Sequence, residues 1–221
     1  MAEKPSFTPA LGKSDLTGDY DRVIAVMTRE RKWRARLLAS LGPKNGETII
    51  DLGSGTGSLA ILIQQSAYGV RMIAVDPDPE VRRIAEQKAA SAGADITFVT
   101  ALGGDRVDSL PYGRAHKVVT SLVLHQCPMS AKQELLANAF ALLAPGGTLF
   151  VADYGVQKSL LMQLLFNQVR SLDGYENTRA NKDGLIPTLV SRAGFGDVTE
   201  HWTVQTPTGS ITLWTGLKAL K

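Results

Sequence analysis

Cysteine is nearly absent from this chain of 221 residues, where Cys127 stands alone. A single thiol closes no intrachain disulfide and builds no cysteine-rich metal centre, so a reducing, cytoplasmic setting is expected and no metal ligand set is. Long apolar runs are missing as well. No stretch reaches the roughly 20 residues of a membrane-spanning helix, and the opening MAEKPSFTPALGKSD lacks the apolar centre of a secretory signal. Neither sign of charge is in excess, since 24 Lys and Arg against 21 Asp and Glu leave a net +3. Without a concentrated basic patch that balance gives no reason to expect nucleic acid as a partner. What is present, 44% hydrophobic and 20% charged residues, is ordinary for a globular protein and excludes extensive disorder. The length suits one well-buried α/β domain and is short for two, so residues 1–221 are read as a single domain.

The stretch that organises the chain is TIIDLGSGTGSLAILI, residues 48–63. Thr48, Ile49, Ile50 and Leu52 suit a parallel strand covered on both faces, with Asp51 as the polar exception near its carboxyl end. Gly53, Gly55 and Gly57 then let the backbone turn sharply and approach a ligand closely. The apolar run from Leu59 to Ile63 reads as a helix whose first amides point back at the same spot. Strand, glycine turn and helix N-terminus make a ligand cradle at the carboxyl edge of an open α/β sheet. The dinucleotide fingerprint fits poorly, because its last glycine position holds Ser58. A phosphate loop is excluded, because no Lys followed by Ser or Thr comes after the second glycine.

The order Asp-Leu-Gly-Ser-Gly-Thr-Gly resembles instead the first motif of the class I S-adenosylmethionine-dependent methyltransferases, closest in pattern to the ubiquinone/menaquinone-biosynthesis type. The resemblance runs from about Tyr20 to Lys218. It implies a doubly wound sheet of seven strands, mostly parallel, with an antiparallel last strand. It also implies S-adenosylmethionine as cofactor, a small organic molecule as methyl acceptor, and a glycine turn of Asp51, Gly53, Ser54, Gly55 and Gly57 around the amino acid end of the cofactor.

Taken in order, residues 1–17 read as a tail and 18–41 as a helical cap, with Val23, Ile24, Val26, Met27, Trp33, Leu37 and Leu38 as its apolar positions. In the family such a helix covers the cofactor and a tyrosine in the position of Tyr20 lies near the amino acid moiety; packing alone is the other reading of Tyr20. Arg29, Arg31, Lys32, Arg34 and Arg36 form either a solvated face or a contact for an anionic group or membrane surface. A second strand over 70–75 ends at Asp76-Pro77-Asp78. Asp76 is placed to accept hydrogen bonds from two ribose hydroxyls, while Asp78 reads as the cap of a helix over 80–92. After a third strand, 96–100, the family carries an acid at the adenine. Ala101 and Leu102 offer backbone groups there and Asp105 is the polar alternative.

A fourth strand is expected over 117–124, with Ser121 and Leu122 facing the cofactor. Lys117 departs from the acid usual in the family. His125 is either a general base or a residue that holds its loop by hydrogen bonding. Cys127-Pro128 gives little support for covalent chemistry. A helix over 131–143, a strand over 148–152, helices over 159–172 and 186–193, and paired strands over 198–206 and 210–217 complete the expectation. Methylation of nucleic acid or protein is the rival activity, and a protein that binds S-adenosylmethionine without methyl transfer the rival class. The acceptor is expected to be largely apolar with an anionic group, in a pocket of Trp33, Leu161 and Leu165 near Arg29.

Overall fold

The computed structural model describes residues 28–220, so Tyr20, Val23, Ile24, Val26 and Met27 lie outside the described residues. The chain runs α1 (Glu30–Leu41), β1 (Thr48–Leu52), α2 (Ser58–Ser66), β2 (Arg71–Asp76), α3 (Pro79–Ala92), β3 (Ile96–Thr100), β4 (Ala115–Ser121), α4 (Met129–Leu142), β5 (Leu143–Tyr154), α5 (Leu160–Asp173), α6 (Arg179–Lys182), α7 (Ile186–Arg192), β6 (Gly196–Thr206) and β7 (Gly209–Leu217). A 3-10 turn, Leu124–Gln126, follows β4.

The seven strands form one sheet in the order β3-β2-β1-β4-β5-β7-β6. Strands β1 to β5 pair in parallel, and β7 runs against both of its neighbours. This is the doubly wound architecture expected, antiparallel last strand included. The chain steps outward from β1 through β2 to β3 and then returns to lay β4 on the other side of β1. Such a reversal opens a crevice at the carboxyl ends of the strands, where ligands bind in open α/β sheets.

Strand periodicity sorts the core. Ile50, Leu52, Ile73, Val75 and Val118 pack on one side with Leu135 and Leu136 of α4 and Val190 of α7. Ile49, Met72, Ala74 and Val119 pack on the other with Trp33 and Leu37 of α1, Leu59 and Ile63 of α2 and Phe166 of α5. Side chains one residue apart thus serve opposite faces, and burial on both explains why the strands read as apolar runs. Helix α3 starts where Asp78 accepts from the amides of Glu80 and Val81 and ends at a left-handed Gly93, φ 63°.

Several boundaries differ from those expected. Strand β4 starts at Ala115 and stops at Ser121, because Leu122 adopts a left-handed conformation (φ 55°) that takes the chain out of the sheet. Strand β5 is longer than 148–152. Leu143 already pairs with Ala115 across a bulge, and Asp153 and Tyr154 continue pairing with Thr212 and Ile211 of β7. The four-residue α6 has no apolar period and gave no signal. Lys117 pairs with Glu47 (2.5 Å) and donates to the Gly42 carbonyl, at the amino edge of the sheet.

The expected pocket of Trp33, Leu161 and Leu165 needs correction. Trp33 is 1% exposed inside the core, whereas Leu161 is 60% exposed and Leu165 half-buried. Trp33, Leu37 and Leu41 recur every four residues, which is the stripe one packed helix face requires. Arg29 Nη1 donates to the Gln205 carbonyl (3.2 Å). Trp33→Ala is therefore expected to cost about 3–5 kcal/mol in chemical denaturation, as for a large core aromatic. A loss below about 1 kcal/mol, typical of surface positions, would place the ring outside the core.

Candidate active site

Strand β1 ends at Leu52 and the chain reverses through Gly53-Ser54-Gly55-Thr56-Gly57 into α2. The amides of Gly53 and Ser54 both donate to the Val75 carbonyl (2.8 and 3.0 Å), which clips the turn to the end of β2. All three glycines have left-handed φ angles, 79°, 52° and 74°. Their surroundings differ. A Cβ at Gly53 would meet Val123 at 2.3 Å and one at Gly57 would meet Ala85 at 3.1 Å, but nothing lies within 4 Å of one at Gly55. Packing demands glycine at the outer two positions, and the turn faces open space at the middle one.

Asp51, one residue before the end of β1, is 1% exposed, and neither carboxylate oxygen has a hydrogen-bond partner among the described residues. Burial raises its pKa to about 7, the positive charge of Arg34 opposing and Asp76 adding. Asp76, at the end of β2, is better served. Its two oxygens accept from the amides of Gly55 (2.9 Å) and Asp78 (3.0 Å), one each, which leaves lone pairs for further donors. Burial raises its pKa and the two amides counter this. Pro77, half-buried, separates it from the capping Asp78. Beyond β3, the Ala101 amide donates to the Asp76 carbonyl (3.2 Å) and the Leu102 amide to Asp105 Oδ2 (3.0 Å). The two candidates for the adenine, Leu102 and Asp105, are thus bonded to each other in one loop.

The exit from β4 lies against the glycine turn, since Val123 fills the space beside Gly53. Ser121 ends the strand, and the Leu122 amide donates to the Ala152 carbonyl (2.9 Å). Three residues on, His125 is buried. Its Nδ1 lies 2.8 Å from Asp153 Oδ1 and its Nε2 3.5 Å from Asp173 Oδ2. The ring meets Tyr154 edge-on at 4.8 Å. Asp153 Oδ1 also accepts from the Tyr154 amide (2.7 Å) and Asn181 Nδ2 (3.2 Å).

Below this group Lys132 is 1% exposed, and its ammonium donates to the carbonyls of Cys127 and Asn177. Burial lowers its pKa, with Asp153 and Cys127 acting against that. Burial also raises the Cys127 thiol, Lys132 opposing, which leaves it unsuited to covalent attack. Sequence reasoning missed Asp153, Asp173, Asn181 and Lys132. For Asp153 a signal existed, an acid closing an apolar strand as Asp76 does. The others come together only through tertiary packing.

The residues present fit the cofactor that the resemblance implies. A buried carboxylate without a donor suits an ammonium group, the open side of Gly55 admits a ligand to the backbone, and Asp76 retains acceptor capacity for a diol. Two measurements check this. Asp76→Ala is expected to weaken S-adenosylmethionine by more than tenfold in calorimetry, from charge-assisted bonds at about 1.5–3 kcal/mol each. Asp78→Ala is expected to cost about 1 kcal/mol of stability as a lost cap, with little change in affinity. Equal affinity losses contradict the assignment. For Asp51, folding raises the pKa from 3.8 to about 7, so the folded protein keeps a proton that the unfolded chain has released. Its contribution to stability is fully present below about pH 4 and is lost as pH rises toward 7. Asp51→Asn is expected to flatten that decline and raise the melting temperature of the cofactor-free protein above pH 7. A variant less stable than the parent there would show that Asp51 is paired.

Comparison with known proteins agrees with the geometry. Residues 49–147 match the family model described as Methyltransferase domain. The demethylmenaquinone methyltransferase of Thermus thermophilus is 26% identical over 143 residues, 64% of this chain and 63% of the relative. The ubiquinone/menaquinone biosynthesis C-methyltransferase UbiE of Paracoccus denitrificans is 25% identical over 186 residues, 76% of this chain and 74% of the relative. Among solved structures, phosphoethanolamine N-methyltransferase 2 of Haemonchus contortus in complex with S-adenosyl-L-methionine superposes with a TM-score of 0.68 at 14% identity. That likeness covers 85% of this chain and 52% of the other and speaks for the fold. The chain thus spans 63% of the Thermus relative and about half of the Haemonchus chain. Over residues 49–147 the chain is thus similar to the methyltransferase domain family, and the glycine turn, the strand-end acids and the sheet order agree with that likeness.

Proposed function

We propose that this chain transfers a methyl group from S-adenosylmethionine to a small organic acceptor, the atom methylated being open among oxygen, nitrogen and carbon. The observation that carries the reading is the Asp51 carboxylate, unpartnered among the described residues, beneath a turn whose middle glycine faces space that no described residue fills. Asp51 and the amides of the turn would hold the amino acid end and Asp76 the ribose. Ser54, Pro77, Ala101, Leu102, Ser121 and Leu122 complete the proposed cradle, together with Tyr20, outside the described residues. Bound there, S-adenosylmethionine supplies a methyl group made electrophilic by its sulfonium. The part of the chain itself is to align the acceptor and receive its proton. His125 is the proposed general base, since Nδ1–H donation to Asp153 leaves Nε2 as the basic nitrogen.

The Thermus and Paracoccus relatives are named for quinones, and a quinone-type ring is the acceptor class proposed for this chain. An anionic group on it is not part of the proposal, because Arg29 already donates to the Gln205 carbonyl. One domain over residues 1–221 and a cytoplasmic location, with Cys127 as a free thiol, belong to the same reading. No described helix is long and apolar enough to cross a membrane.

Calorimetry is expected to show binding of S-adenosylmethionine and S-adenosylhomocysteine and none of NAD. With methyl-labelled cofactor and a reduced short-chain demethylmenaquinone, label is expected in the quinol, with one S-adenosylhomocysteine formed per methyl transferred. NAD binding without S-adenosylmethionine binding overturns the reading. Tight retention of the cofactor with no transfer to that quinol, or to any acceptor in a metabolite screen, assigns the chain to binding without transfer.

A further inference from the structure

Exposure rises along one line of side chains at the carboxyl edge of β4 and β5. The Asp153 side chain is 1% exposed, that of His125 4% and that of Asp173 19%. The imidazole is closed in between two carboxylates, and the end of the line that reaches solvent is an acid. We infer that Asp173 is a catalytic residue, the group that touches the methyl acceptor, relays its proton to His125 and selects acceptors presenting a hydrogen-bond donor. The inference rests on the methyltransferase reading and adds to it the polarity of the acceptor.

The backbone fixes Asp173 where this requires it. It is the last residue of α5, and its carbonyl accepts from Asn177 Nδ2 (2.9 Å). The same amide nitrogen donates to the Gln126 carbonyl (3.0 Å) in the turn after β4. The end of α5 is thereby tied to the turn that carries His125. Neighbouring cations are occupied elsewhere. Arg170, on the same helix, donates to Thr178 (3.3 Å) and Asn167 (3.2 Å) and lies over the Tyr175 ring. Lys132, from α4, donates to two carbonyls, and the Tyr154 hydroxyl, from β5, donates to Thr208 (2.8 Å). Among the described residues, His125 and Asp153 are the charged groups that act on it. Burial raises the Asp173 pKa, His125 lowers it and Asp153 raises it, so this carboxylate is more basic than an ordinary one.

In the step assigned to it, an O–H or N–H bond of the acceptor breaks and its electron pair stays with the acceptor. In a phenolic ring that pair also enriches the neighbouring ring carbons. The proton passes to the Asp173–His125 pair, with Asp153 holding the imidazole from behind. An acceptor bearing a carboxylate or phosphate at this point would meet like charge, whereas a hydroxyl donates to it.

The test uses the full chain saturated with S-adenosylhomocysteine and three probes, 1-naphthol, 1-methoxynaphthalene and 1-naphthoate, titrated by calorimetry. The parent is expected to prefer 1-naphthol over its methyl ether by about tenfold or more, the worth of one charge-assisted hydrogen bond, and to reject 1-naphthoate. Asp173→Asn and Asp173→Ser are expected to erase most of that preference and admit 1-naphthoate, with S-adenosylhomocysteine affinity unchanged. A preference that survives in both variants overturns the inference, even alongside a lowered melting temperature, because Asp173 is then structural. Failure of 1-naphthol to bind the loaded parent overturns it too. Loss of S-adenosylhomocysteine binding by the parent is a different failure, that of the methyltransferase reading itself.

Discussion

Asp51 lies at the end of β1 with both carboxylate oxygens buried and unpaired among the described residues, so ionising it carries a desolvation cost that no neighbouring donor returns. Strand parity puts it on the side of Ile49, toward α1, and the charge of Arg34 on that helix favours its ionised form. Packing alone does not explain a carboxylate here, since an apolar residue would serve the core better. A cationic ligand does explain it. The neighbouring groups are arranged consistently: Asp76 spends one oxygen on the Gly55 amide, which holds the turn open side outward, and the turn is clipped to β2 at Val75.

The proposed cofactor half of the site, on β1 to β3, and the proposed acceptor half, on β4 and β5, meet where Val123 fills the space a Cβ would take at Gly53. That contact sets the loop after β4 in register with the turn, and the left-handed Leu122 is the local strain the register requires. Lys132, Asn177 and Asn181 then lace this loop and β5 to the segment after α5 through backbone carbonyls and Asp153. The acceptor side is therefore built from hydrogen bonds between segments distant in sequence, and the cofactor side from one continuous strand-turn-helix.

That difference decides what could be read in advance. The strand Thr48–Leu52, the glycine turn, the strand-end Asp76 and the cap at Asp78 are local features, each with its own signature, and the structure agrees with the reading of their conformation. The mostly parallel seven-stranded sheet with its antiparallel last strand followed from the resemblance. The end of β4 was misjudged because Val123 and Leu124 continue an apolar run, while the break is made by the backbone of Leu122, which composition does not disclose. Trp33 was assigned to a pocket because a large aromatic on a basic helix suits either role, and only its neighbours in the core settle the matter. Asp173 was invisible, an ordinary acid at a helix end until folding sets it 3.5 Å from His125.

The central claim, that Asp51 waits for the cationic end of the cofactor, is tested most directly by counting protons. Asp51, with a pKa of about 7, is partly protonated in the cofactor-free protein at neutral pH, and an ammonium group beside it expels that proton. Titration of S-adenosylhomocysteine in two buffers of different ionisation enthalpy gives the number released. The account predicts about half a proton released at pH 7, more near pH 6, close to none above pH 9, and none at any of these in Asp51→Asn. Binding that releases no proton at pH 6 and 7, or the same number in the parent and in Asp51→Asn, would contradict it.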